Sequence, residues 1–172
     1  VTGAPFNHVS LSLDASLEQM YSFGRKRPYN PVAGGFVREG IHCGTFRRFA
    51  ETNAVVLRLS IPEEAFEALG RQVALMYRRR QYHSYNYLGL ALAFLGVDHC
   101  NGWDFYCSQF VREMLCRYCA GTEAELPVIA KPVDFLRLAE ASTVYTGLLR
   151  EYPRCLQAAR RQAEHHIRPL AS

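Results

Sequence analysis

Cysteine and histidine carry the reactive chemistry of this chain, and both are placed unevenly. The stretch FYCSQFVREMLCRYC, from Phe105 to Cys119, holds three of the six cysteines. Cys107 stands where a helix begins, after an aromatic pair in a segment that contains Gly102 and Asp104. A helix N-terminus offers free N–H groups and about half a positive charge, which stabilise a thiolate and draw a thiol below its usual pKa of about 8.5. The same N–H groups can receive an oxyanion, so a nucleophile and its oxyanion hole can come from one feature. The plainer reading is a small buried side chain. Cys116 and Cys119 form a C-x-x-C pair on one helix face. Zinc would need two further ligands at matching spacing, and neither His99-Cys100 nor His42-Cys43 supplies them by spacing, so packing is the expected use.

A thiolate nucleophile needs a base that is close in space. Of the six histidines, His165 and His166 fall on a basic terminal segment and read as solvated, His42 and His83 sit in polar contexts that read as exposed, and His99 lies in a loop. His8 differs. It opens the segment NHVSLSLD, in which Val9, Leu11 and Leu13 alternate with His8, Ser10 and Ser12. Period two predicts a half-buried strand whose polar face either lines a cleft or is the solvated face of an edge strand.

The elements that must position these groups follow from the same patterning. A turn at Asp14 to Ser16 joins the first strand to LEQMYSFG. With that loop, Leu13 faces Leu17, Ser12 faces Glu18, Ser10 faces Met20 and His8 faces Ser22, so Ser22, Met20 and Glu18 share the His8 face. A slip of one residue would bring Tyr21 and Gln19 there instead. Gly24 to Gly44 reads as a long connection, and GTFRRF with NAVVLRLS as a strand pair. Ser60 and Glu63 in SIPE have capping-box spacing ahead of a helix. Helices are expected at Tyr85 to Leu95 (apolar nearly all round and so central), from Cys107, over PVDFLRLAEA and over YPRCLQAARRQAEHHI, with a short strand at STVYTGLL. This order predicts an α+β domain with an antiparallel sheet, spanning residues 1–172, its basic C-terminal helix at about 153–168.

Composition narrows the function classes. The net charge of +4 is too mild and too scattered for a nucleic-acid binder. The longest apolar run, YLGLALAFLGV from Tyr87 to Val97, is about half of a bilayer span, so it reads as a buried helix, with a membrane-dipping surface as the alternative. Six cysteines are too dilute for a disulfide scaffold, which points to reduced thiols in a cytoplasm. No signal peptide is visible, although the chain begins without Met and a leader could have been removed.

The His-first strand HVSLSLD followed late in the chain by a helix opening YCSQFV resembles the circularly permuted papain-like proteins of the NlpC-type superfamily. MYSFGRKRP, GGFVREGI, YNYLGL and FYCSQFV together resemble a group of small bacterial proteins within it. The resemblance runs from about His8 to Tyr152. It implies a papain-like fold in which the Cys helix follows the sheet, with Cys107 as nucleophile and His8 as base. The family often orients the imidazole with a Glu, Asn, Gln or His on the next strand; the hairpin register offers Ser22, with Glu18 and Tyr21 as alternatives. Tyr85, Asn86 and Tyr87 resemble the aromatic segment that borders the cleft, where Asn86 either donates to a substrate carbonyl or caps the helix that follows. Asp134 reads as a local cap. Arg78 to Arg80 and Arg25 to Arg27 read as solvated surface, with an anionic head group or carboxylate as the alternative partner.

The implied activity is a cysteine hydrolase that cleaves an amide, thioester or ester through an acyl-enzyme, without metal or organic cofactor, on a small-molecule, peptide or lipid-like acyl substrate. Two rivals remain at this point. One is an acyltransferase like the lecithin:retinol acyltransferase-type relatives. The other is a binding or regulatory module with the same fold and an ordinary Cys107 thiol.

Overall fold

The computed structural model of the chain describes residues 6–27 and 29–167. It is an α+β structure. Its strands are β1 (Leu11–Ser12), β2 (Met20–Arg27), β3 (Asn30–Glu39), β4 (Asn53–Leu59) and β5 (Ala141–Leu148). Its α-helices are α1 (Gly44–Arg48), α2 (Glu63–Arg78), α3 (Tyr87–Phe94), α4 (Cys107–Tyr118), α5 (Thr122–Glu125) and α6 (Tyr152–Ile167), with short 3-10 turns at Arg80–Tyr82, Pro132–Arg137 and Leu149–Glu151. The strands form two antiparallel sheets, β1-β2-β3 and β4-β5.

The core lies between the β2–β3 pair and the helices α2 and α4. Period two in MYSF and GGFV sends Tyr21, Phe23 and Phe36 to one face of the sheet. Helical spacing sends Phe110, Val111, Met114 and Leu115 of α4, and Leu69, Val73 and Met76 of α2, against it. Phe23, Phe36 and Phe110 are fully buried. Their rings meet edge to face or tilted at centroid distances of 5.2–5.7 Å. Each such side chain contributes about 2–3 kcal/mol by leaving water, so the junction of β2, β3 and α4 is a stiff platform. A second cluster, Leu17, Met20, Ile41, Leu149 and Tyr152, ties the first hairpin to the start of α6.

Several expectations change. The β1–β2 register pairs Leu11 with Tyr21 and Ser12 with Met20, two residues beyond the expected alignment. The cause is Asp14, whose carboxylate accepts the N–H groups of Glu18 at 3.1 Å and Gln19 at 2.8 Å and so widens the loop. Leu17, at φ 59°, turns into the second cluster instead of facing Leu13. A shift of two preserves the face, so Ser12 still shares a side with Met20; of the strand expected over NHVSLSLD only Leu11–Ser12 forms, and His8 and Ser10 precede it. The long connection after Gly24 is instead the end of β2 and all of β3, and GTFRRF contributes α1 rather than a strand.

Helix α2 begins at Glu63 with Pro62 as its cap residue, and no side chain caps it, so the Ser60–Glu63 box is not formed. His83 is buried, its ring against Phe23, Phe36 and Trp103, and not exposed as its polar neighbours suggested. Helix α3 is not central. Leu88 is 60% and Phe94 71% exposed, and within α3 only Gly89 is buried. The expected solvation of His165 and His166 concerns side chains outside the described ones, and residue 168, at the end of the expected terminal helix, also lies outside the described residues.

Candidate active site

Cys107 is the first residue of α4, with Tyr106 as extended cap residue, and it is 6% exposed. The helix begins here because Phe105 is held in a parallel bridge to Tyr85, while Phe110, one turn on, fills the core. Position one of the helix leaves the first N–H groups without partners in the ladder. The His8 imidazole and the N–H groups of Val9 and Ser108 lie on the side of the Cys107 sulfur where they favour its thiolate.

His8 is fixed from the other side. Its Nε2 lies 3.0 Å from Glu39 Oε2 and 3.2 Å from Ser10 Oγ, and Ser10 donates to the same carboxylate oxygen at 2.5 Å. With Nε2 held there, Nδ1 is the ring nitrogen left to exchange a proton with the thiol. Phe46 walls the imidazole at a centroid distance of 6.1 Å. Gly24 leaves room beside it: a Cβ there would lie 3.7 Å from His8 Cε1 and 3.4 Å from Glu39 Oε1.

The electrostatics follow from this packing. Burial opposes charge on His8, but the Glu39 carboxylate and the hydrogen bonds to Cys107 and Glu39 outweigh it and push the imidazole up to about 10. Burial likewise pushes the Glu39 carboxyl up, and the His8 charge with the hydrogen bonds from His8 and Ser10 outweighs it, holding Glu39 below its usual range. For Cys107, burial alone would raise the thiol; the bond and charge of His8 and the two N–H donors bring it down. Opposite charges close together each favour the other's ionised form, so Cys107, His8 and Glu39 all shift toward their charged forms.

Tyr85 completes the cleft. It lies close to Cys107; burial first, then the charges of Cys107 and Tyr87, push this phenol well above its usual value. The Tyr85 ring lies against Tyr87, whose hydroxyl donates to Val32 O at 2.9 Å. Asn86 is spent on structure. Its Oδ1 accepts from Gly89 N at 2.7 Å, capping α3, and its Nδ2 donates to His99 O at 2.8 Å and Gln109 Oε1 at 3.3 Å. It therefore locks the turn that presents Tyr85 and has no free group for a substrate.

Of the residues singled out from sequence, Cys107, His8 and Tyr85 come together. Ser22 does not reach the imidazole: it is fully buried and donates to Val9 O at 2.8 Å, which fixes the segment next to His8. Glu18 is exposed at the turn, and Tyr21 is buried in the core against Phe36 and Tyr77. The group that holds the ring is Glu39, which sequence reasoning placed in a connection. Its signal was the strand-like run GGFVRE, whose pairing with β2 puts Glu39 opposite Met20 and hence on the His8 face. Asp134 accepts from Lys131 N, a local cap as expected.

A cleft of about 660 Å³ runs from His8 between β1, β4 and the flank of α4, lined mainly by apolar side chains such as Leu11, Leu57, Phe66, Leu115 and Leu138. Among the described residues no group of three His, Cys, Asp or Glu side chains is arranged to hold a metal ion, and no helix is long and apolar enough to cross a membrane. No protein-family model, curated protein or solved structure matches this chain.

Proposed function

We propose that this chain is a cysteine-dependent hydrolase of circularly permuted papain-like architecture, acting on an amide, thioester or ester. The observation that carries the reading is the 3.0 Å contact of Glu39 with His8, beside Cys107 at the start of α4, where His8 and Cys107 each favour the other's charged form. The Cys107 thiolate attacks the substrate carbonyl carbon, and the π electrons move to oxygen. The Tyr85 hydroxyl and the free N–H groups of the first turn of α4 are the donors available to that oxyanion. As the tetrahedral adduct collapses, the His8 imidazolium gives its proton to the leaving amine, alcohol or thiol. His8 then takes a proton from water, which releases the acid from the thioester and restores the thiolate–imidazolium pair. Glu39 keeps the ring oriented and stabilises its positive charge, and Ser10 fixes the carboxylate.

Transfer of the acyl group to an acceptor other than water is the second reading. The apolar cleft that begins at His8 favours it, because such a lining accepts an acyl chain.

Peptide-resolved alkylation with iodoacetamide across pH tests the shared chemistry. Cys107 should react quickly below neutral pH and slow by about tenfold or more in His8→Ala, since one pKa unit of thiolate stabilisation is tenfold in population. Cys116 and Cys119, whose thiols burial pushes up, should lag well behind. A Cys107 that reacts no faster than these two, or that ignores the loss of His8, would leave the chain as a binding module. Product analysis with a thioester substrate, with and without an added alcohol, separates hydrolysis from transfer.

A further inference from the structure

Helix α3, YLGLALAF, contains no charged residue, yet it lies on the outside. Leu88, Phe94 and Leu95 are 60%, 71% and 77% exposed, and Val97 just beyond is half exposed. A soluble surface rarely presents so many large apolar side chains in one short segment. The surroundings are specific. On one side the tip of the β2–β3 hairpin meets α3 through the Tyr87 hydroxyl and Val32 O. On the other, the 95–106 segment is fastened by Asn86 to His99 O and by the Tyr85–Phe105 bridge. Trp103, 63% exposed, stacks on His83 beside the exposed Tyr82.

Cations lie on the segments that lead to this apolar end. Arg25, Lys26 and Arg27 lie on the last part of β2, Lys26 reaching His83 O at 3.1 Å. Arg79 and Arg80 lead into the turn that carries Tyr82, Arg80 donating to Tyr77 O at 3.0 Å and lying over its ring, and the Arg48 guanidinium covers the Tyr29 ring at the hairpin tip at 4.4 Å. Two carboxylates are near, Asp98 and Asp104, and Asp104 is occupied by Ser84 N and Asn101.

We infer that α3 and the turns flanking it form a docking surface for an anionic lipid bilayer, on which the protein sits peripherally. Eight residues of helix are about 12 Å long, far too short to span and suited to lying in the interface with aromatic side chains at headgroup level. Basic residues around an apolar patch match a surface of anionic headgroups. The surface stands apart from the catalytic chemistry, although Tyr85 at the mouth of the Cys107 cleft precedes α3 by only one residue, Asn86, so docking would set that mouth against the bilayer.

The chain's single tryptophan, Trp103, lies in the patch and reports on it directly. The test uses the full chain with unilamellar vesicles of phosphatidylglycerol and phosphatidylcholine, and with phosphatidylcholine alone. Expected are sedimentation with the anionic vesicles, a blue shift of Trp103 emission with reduced acrylamide quenching, and about tenfold weaker binding when salt is raised from about 50 to about 500 mM. Phe94→Ser with Leu95→Ser should weaken binding about tenfold or more at an unchanged unfolding midpoint. Arg79→Gln with Arg80→Gln should weaken it with α3 intact, and Cys107→Ala should bind as the unsubstituted chain does. The inference fails if anionic vesicles leave Trp103 unshifted, or if neither double variant alters binding. It also fails if Trp103 is instead covered by concentration-dependent dimerisation that the serine substitutions abolish.

Discussion

Glu39 Oε2 lies 3.0 Å from His8 Nε2, and this carboxylate, 7% exposed, comes from the third strand of the sheet and not from the second. Its charge is the main favourable cause of the raised imidazole. Glu39→Gln keeps the shape and removes that charge. The expected result is a lower His8 pKa, a higher Cys107 pKa and alkylation of Cys107 near pH 6.5 slower by about tenfold or more, since each pKa unit is about 1.4 kcal/mol. Peptide-level alkylation rates check it.

Ser22→Ala separates a supporting residue from a reacting one. The substitution leaves Val9 O without its 2.8 Å donor inside the fold, which costs about 1–3 kcal/mol. Urea unfolding should record that loss, while Cys107 alkylation stays within about twofold of the unsubstituted chain. A collapse of alkylation at unchanged stability would return Ser22 to the reacting group.

Tyr85→Phe should do the reverse. Loss of one oxyanion donor lowers acyl transfer by about a hundredfold, and stability changes little because the ring remains packed on Tyr87. Burst kinetics with a chromogenic ester read the acylation rate; Cys107 should still alkylate readily.

Gly35→Ala acts on the scaffold. A Cβ at Gly35 would lie 2.5 Å from His83 O, a backbone atom that cannot step aside without disturbing the Gly35–Ser84 bridge. Overpacking of this kind costs about 1–3 kcal/mol. The segment it moves leads to Tyr85, so acylation should fall along with the unfolding midpoint.

The pH dependence of stability carries a definite sign. His8 is raised from 6.5 to about 10 in the fold, so its contribution is whole below pH 6.5 and is lost as pH rises through about 10. Glu39 is lowered from 4.5, so its contribution is whole above 4.5 and is lost as pH falls through the lowered value. Cys107, lowered from 9.0, contributes in full only above 9.0 and loses it as pH falls through its folded-state value. The stability gap between the unsubstituted chain and Glu39→Gln should therefore be widest between about pH 4.5 and 6.5 and shrink toward pH 10, as urea melts across pH would record.

The sequence carried the helix that opens at Cys107 and the α+β layout, because hydrophobic period and chain order determine them locally, whereas of the strand expected over NHVSLSLD only Leu11–Ser12 forms and His8 lies ahead of it. The face of β1 was legible too, since a two-residue slip returns the same side chains to the same side. The identity of the partner at His8 was not. It depends on a third strand rich in glycine, NPVAGGFVRE, where Gly34 and Gly35 weaken the strand pattern so that backbone can approach Tyr85 and His83 closely. The location of α3 was illegible for a different reason. Uniform apolarity says that a helix leaves water, without saying whether protein or another phase receives it. Asn86 could be read two ways because a cap and a substrate donor use the same amide; only its three occupied hydrogen bonds decide between them.

His8 and Glu39 precede Cys107 in the chain by most of the fold. During synthesis the β1–β3 sheet emerges and can bring the imidazole and carboxylate together before the α4 residues have left the ribosome. The Cys107 thiol meets its base only when α4 docks on that sheet, a contact of long sequence separation and therefore a slow one. Until then its pKa is that of any cysteine in an extended chain. On the proposed function, reactivity is thus coupled to completion of folding: in a stalled or truncated chain the sulfur lacks the His8–Glu39 partner that activates it, and the order of segments in the chain itself delays the nucleophile.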